Sequence, residues 1–148
     1  MFKITLEIAK VLLHAAEQRA KQLGLSQDIA IVDEGGNLIA FHRMDEALIA
    51  GIDIAINKAW TAVAMKRPTS NLAQSSLPND PTYGINTTNQ GRIVILGGGI
   101  PLTKDGKMVG GIGVSGASSA QDIEVANAAV QRFEQLSQAR IGNIPYYI

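Results

Sequence analysis

Two apolar runs, Ile100 to Thr103 and Met108 to Ser115, flank the short segment Lys104-Asp105-Gly106-Lys107. This arrangement constrains the fold more than any other feature of the chain. Asp-Gly between strand-like runs is a strong short-range signal for a tight antiparallel hairpin. The pattern recurs upstream. Asp28 to Asp33 and Asn37 to Met44 are rich in Ile, Val and Phe, and Glu34-Gly35-Gly36-Asn37 joins them as a turn. Arg92 to Leu96 reads as one more strand, followed by the run Gly97-Gly98-Gly99. The five strands, with hairpin links, predict an antiparallel sheet with helices packed on it; a doubly wound parallel sheet would need helical crossovers instead.

Helical spacing fills the rest. Between Thr5 and Leu23, Ile4, Ile8, Val11, Ala15 and Arg19 share one side, with Leu12, Ala16 and Leu23 beside them, and Gly24 stops the helix. Leu6, Leu13 and Ala20 form a second stripe, so this helix has two packing partners, and another subunit is a candidate for the second. A second helix, Ala47 to Lys66, carries Leu48, Ile52, Ala55, Ile56, Ala59 and Val63 on its main face. Further apolar residues at Ala50, Ile54 and Met65 predict burial nearly all round. Pro68 ends it. Thr69 to Asn89 is a long connection holding Leu72, Leu77, Tyr83 and Ile85, which predicts short helical turns folded over a pocket. Ser119-x-x-Asp122 reads as a capping box before a last helix with Ile123, Ala126, Val130 and Phe133 on its core face. The apolar tail, Ile141 to Ile148, is expected to dock on the domain or on a neighbour. Residues 1–148 show no repeat and no internal boundary and read as one domain.

Composition removes several functions. Formal net charge is zero, aromatics are 5%, and no basic cluster exceeds Lys66-Arg67, so nucleic acid is not an expected partner. There is no cysteine, which removes disulfides, thiolate metal sites, thiol nucleophiles and thioether-linked haem. No window approaches 18 apolar residues, and Met1 to Lys10 lacks the apolar stretch of a signal peptide, so a soluble cytoplasmic protein is expected.

Each chemical motif has a plain structural alternative. Gly111-x-Gly113-x-x-Gly116 matches a dinucleotide fingerprint but lies in a hairpin strand without a βαβ unit, so close packing of another backbone is the better account. Gly116 to Ser119 leads into a helix N-terminus, either a simple cap or an anion site. Gly98 and Gly99 sit either in a bulge or on a floor where a flat ligand meets bare backbone. Lys58, on a helix with little polar surface, must reach water, pair with an acid such as Asp33 or Asp45, or face a pocket. His14 falls on the polar side of the first helix and His42 in the second strand. They form no metal-binding pair, though a single imidazole suffices to ligate haem iron. No nucleophile elbow is present.

Ala30-Ile-Val-Asp33-x-Gly-Gly36 with Arg43-Met-Asp45, Asp53-Ile-Ala-x-Asn57-Lys58-Ala59-Trp60, Gly97-Gly-Gly-x-Pro101, Gly110-x-x-Gly113-Val-Ser-Gly116 and Gln121-Asp122 resemble, in order, the signatures of the GlcG/HbpS-like, haem-degrading-domain family. Trp60, Tyr83-Gly84 and Thr88-Asn89-Gln90 resemble its small members associated with diol and glycerol use. The resemblance implies a profilin-like fold, an antiparallel sheet with helices on both faces. It also implies homo-oligomers with small-molecule pockets near subunit contacts. Some members bind haem or degrade it. Two functions follow. A haem or tetrapyrrole binder would use His14 or His42 on iron and Lys58 or Arg43 on propionates. A binder or enzyme for a small carboxylate or hydroxy-carbonyl metabolite would frame its pocket with Lys58, Tyr83, Asn89 and Arg92. An oligomeric accessory protein is the third reading. No catalytic set and no metal site are assigned.

Overall fold

A computed structural model describes residues 2–138, and the tail from Ile141 to Ile148 lies outside the described residues. The elements run α1 (Leu6–Gln22), β1 (Asp28–Asp33), β2 (Leu38–Arg43), α2 (Ala50–Met65), α3 (Thr69–Ser75), β3 (Gly99–Lys104), β4 (Lys107–Ser115) and α4 (Ser119–Gln138), with 3-10 turns at Ile85–Thr87 and Asn89–Gly91. The sheet is antiparallel, in the order β2-β1-β4-β3. Both hairpins form. Asp105 and Gly106 take φ of 52° and 76°, the left-handed pair that the Asp-Gly turn promised.

The expected fifth strand is absent from the described residues. Arg92 to Leu96 has its backbone claimed by a side chain: buried Thr61 donates Oγ1–H to the Arg92 carbonyl at 3.0 Å and accepts from the Val94 N–H at 3.1 Å. The sheet therefore has four strands.

Alternation along the strands divides the interior. Ile29, Ile31, Leu102, Ile112 and Val114 pack under α1 and α4, with Leu12, Leu13, Ala126 and Phe133. Ala30 and Val32 point the other way, onto Ala55, Ala59 and Val63 of α2. Helices thus cover both faces. Of the second stripe of α1, Leu13 and Ala20 are buried and α4 packs along α1, while Leu6 is half exposed. Gly111 and Gly113 let α2 lie on bare strand. A Cβ on Gly113 would strike the Ala55 carbonyl and stand 2.6 Å from Ala59 N, which bears out close packing as the role of these glycines.

Two expectations need correction. α2 begins at Ala50, and it is not buried all round. Asp53 and Ala64 are exposed on its outer side, where Ile52, Ile56 and Trp60 are only half-buried. The capping box before α4 is Ser118-x-x-Gln121, with Gln121 N–H on Ser118 Oγ at 3.2 Å and Ser118 N–H on Gln121 Oε1 at 3.3 Å. That frees Asp122 to turn inward.

Candidate functional site

Beneath α2 lies a chain of buried polar side chains. Lys58 is 2% exposed and donates to the Val114 carbonyl at 2.8 Å and to Asp122 Oδ2 at 3.0 Å. Asp122 Oδ1 accepts from Gln27 Nε2 at 2.6 Å and from the Ala117 N–H at 3.0 Å. Burial pushes the Asp122 carboxyl up and the Lys58 ammonium down from their ordinary pKa values, and each charge opposes the other's shift. The acid that Lys58 meets is Asp122, in place of Asp33 or Asp45. Gly98 and Gly99 close over the pair: a Cβ on Gly98 would stand 2.9 Å from Lys58 Nζ, and one on Gly99 would strike the Lys58 carbonyl and sit 2.7 Å from the Thr69 methyl. These three residues do come together, but protein fills the space that a ligand floor would need.

Asp28 shares this side of the sheet. It opens β1 opposite Arg43 of β2 and Ser115 of β4, and Gly51 of α2 packs against its carboxylate. It is fully buried, and neither oxygen accepts a hydrogen bond from the described residues. Burial raises its pKa, while the charge of Arg43 pulls it down. Sequence reasoning passed over Asp28. The signal was its register: two residues before Ala30 and four before Val32, it must face α2.

The two histidines differ. His42 Nδ1 lies 3.0 Å from Glu17 Oε1, so its ring is held between β2 and α1. His14 is exposed on α1 and lines a shallow depression with Glu7, Lys10, Val11, Ala15 and Arg132 of α4. An imidazole, two small apolar side chains and two cations suit a flat, iron-bearing ligand with carboxylate arms. His14 is the more exposed imidazole of the two, and Glu7, the acid of the depression, lies 3.5 Å from Lys10 Nζ. Arg43 lies elsewhere, beside Met44, Asp45 and Glu46.

Tyr83 and Asn89 are exposed in the connection after α3, which does fold into short helical turns. Arg92 closes the 3-10 turn that Asn89 opens, and its guanidinium stacks 3.9 Å above the Trp60 ring. Lys58 is not part of that group, since it points inward while Trp60 lies on the outer side of α2. Among the described residues no group of three His, Cys, Asp or Glu is placed to hold a metal ion, and no helix is long and apolar enough to cross a membrane.

Residues 4–131 match the model of the family described as haem degrading protein, HbpS-like. The 15.0 kDa protein of the dhaT-dhaS intergenic region of Citrobacter freundii is 39% identical over 90% of this chain and 94% of its own length. The corrinoid adenosyltransferase PduO of Salmonella typhimurium is 41% identical over 80% of this chain, which spans only 35% of that enzyme. Among solved structures, the crystal structure of a PduOC–haem complex superposes with a TM-score of 0.85 at 38% identity, covering 88% of this chain and 94% of that one.

Proposed function

The chain belongs to the HbpS-like family, and from that premise we propose that it binds haem or a related tetrapyrrole on the outer face of α1, with His14 as the iron ligand. One observation carries this reading: His14 is exposed between half-buried Val11 and Ala15 and within reach of the cations Lys10 and Arg132, whereas the His42 ring is engaged by Glu17. The haem would supply a Lewis-acidic, redox-active iron. Nε2 or Nδ1 of His14 would hold it, Val11 and Ala15 would lie along the macrocycle, and Lys10 and Arg132 would pair with its propionates. Arg132 makes no salt bridge among the described residues, and Lys10 has only an exposed 3.5 Å contact with Glu7. The depression is shallow, so one copy covers one face of a flat ligand. A second copy of the chain is the natural cover for the other, which makes a homo-oligomer part of the proposal. The fold reads as profilin-like and the setting as cytoplasmic. The PduO and dhaT-dhaS relatives support a place beside diol or glycerol use.

Hemin titration tests this. A Soret band should grow to a stoichiometric end point, disappear in His14→Ala, and persist in His42→Ala. A His14→Ala protein with an unchanged Soret band, or no band in the wild type, would overturn the assignment.

A further inference from the structure

On the opposite side of the sheet, Trp60 projects from the outer surface of α2. One edge of its indole is seated on the β1–β2 turn: Gly36, at φ 78°, leaves room where a Cβ would stand 2.6 Å from Trp60 Cδ1. Arg92 covers the ring at 3.9 Å. The backbone of Arg92 is fixed as well, by the hydrogen bonds of Thr61 described above. Immediately before it, Asn89, Gln90 and Gly91 take φ of 51°, 58° and 77°. Two of these three left-handed residues carry a side chain, an unfavourable backbone that persists only where the surroundings enforce it. The outcome of this construction is an exposed guanidinium whose Cζ stands over the Trp60 ring, 3.9 Å from its centroid.

That guanidinium has no salt bridge and no side-chain hydrogen bond among the described residues. The Trp60 indole N–H beside it is likewise without a partner there. Both groups are donors only. Acids of the adjoining segments make local hydrogen bonds instead: Asp33 Oδ1 accepts from the N–H groups of Gly35 and Asn37, both at 2.9 Å, and Asp53 Oδ2 accepts from Asn57 at 3.0 Å. We propose that Arg92, stacked on Trp60, anchors a binding site for a small organic carboxylate on the outer surface of α2, separate from the α1 face. The planar fork of arginine matches a carboxylate through two parallel hydrogen bonds. Stacking has already restricted the side chain, so little freedom is lost when an anion binds. Asn89, exposed at the head of the same turn, donates Nδ2–H to Thr88 Oγ1 at 3.1 Å and keeps its amide oxygen as an acceptor. This inference does not rest on haem binding.

Trp60 is the single tryptophan of the chain, so its emission reports on the site directly. The protein is titrated with sodium acetate and sodium lactate at constant ionic strength set by sodium chloride, with sodium phosphate as a separate arm and calorimetry as a second readout. A saturable change with acetate or lactate, weakened at least tenfold in both Arg92→Gln and Arg92→Lys, is the expected result. Both variants should keep the wild-type melting temperature and, if hemin binds, the wild-type Soret band. Saturation with phosphate alone would overturn the carboxylate class. Full affinity in Arg92→Lys would reduce the site to diffuse charge. A change that tracks protein concentration instead of added anion would make the stack a contact between copies.

Discussion

Under α1 and α4 the sheet carries Ile29, Ile31, Leu102, Ile112 and Val114; under α2 the same strands carry Ala30, Val32, Gly111 and Gly113. The first face is held apart by aliphatic volume, which relaxes when a methylene is lost or added. The second combines small side chains, Ala30, Val32, Ala55, Ala59 and Val63, with direct approach of helix backbone to strand backbone at Gly111 and Gly113, which leaves less side-chain volume to absorb a change. The charged groups of the interior are on the second face too: Lys58, Asp122 and Asp28 are all within 3% of full burial. A tight, backbone-defined interface leaves a polar side chain one geometry, and an ion pair can be satisfied only where that geometry is fixed. The difference also carries outward. His14 lies on the aliphatic side and the Arg92–Trp60 stack on the polar side.

The sharpest way to break this contrast is to remove one half of the buried pair. Lys58→Met leaves Asp122 as a buried carboxylate with only Gln27 and one N–H for partners, and should cost about 3–5 kcal/mol in urea unfolding. Lys58→Met with Asp122→Leu should recover most of that, because two apolar groups need no partner. If the double variant is as unstable as the single, Asp122 matters for its bonds to Gln27 and Ala117 more than for its charge.

How much of this was legible beforehand depends on what kind of contact was being read. Local signals worked: the Asp-Gly hairpin, the β1 limits and the periodic helices each follow from residues within a few positions. Arg92 to Leu96 failed as a strand because Thr61, thirty-one positions away from Arg92, takes its backbone bonds. The inward turn of Asp122 is hidden for a related reason. At the start of a helix a carboxylate three after a serine looks like a cap, and only the position of Lys58, 64 residues away, shows that it turns inward. Lys58 was recognisable as anomalous from its helix face, but its partner was a matter of tertiary register. Arg92 and Asn89 were singled out together; the indole under Arg92 became visible only when α2 and the turn were placed together.

A smaller perturbation compares the two faces at adjacent residues of one strand. Gly113→Ala would push a methyl into the Ala55 carbonyl and Ala59 N, and should cost about 1–3 kcal/mol as α2 is displaced. Ile112→Val, one position away and facing α1 and α4, should cost about 0.5–1.5 kcal/mol. Equal losses in chemical denaturation would mean that α2 has more slack than its contacts imply.

The smallest effect comes from Asp28, and its sign reverses the usual expectation for a carboxylate. An acid paired in the folded state loses its stabilising effect as pH falls. Asp28 has its pKa raised by burial above the ordinary 3.8, with Arg43 opposing. The folded state therefore holds the proton more tightly than the unfolded chain does. The contribution of Asp28 is complete below the unfolded pKa and is lost as pH rises through the folded one. The amide introduced by Asp28→Asn does not titrate. The stability of Asp28→Asn relative to wild type should then increase as pH rises through the raised pKa of Asp28 and level off above it. Any fixed cost of burying the amide shifts the whole curve without changing its slope. A parallel pair of curves from urea midpoints across that range would show that Arg43 compensates the charge fully, and would leave Lys58–Asp122 as the remaining electrostatic strain under α2.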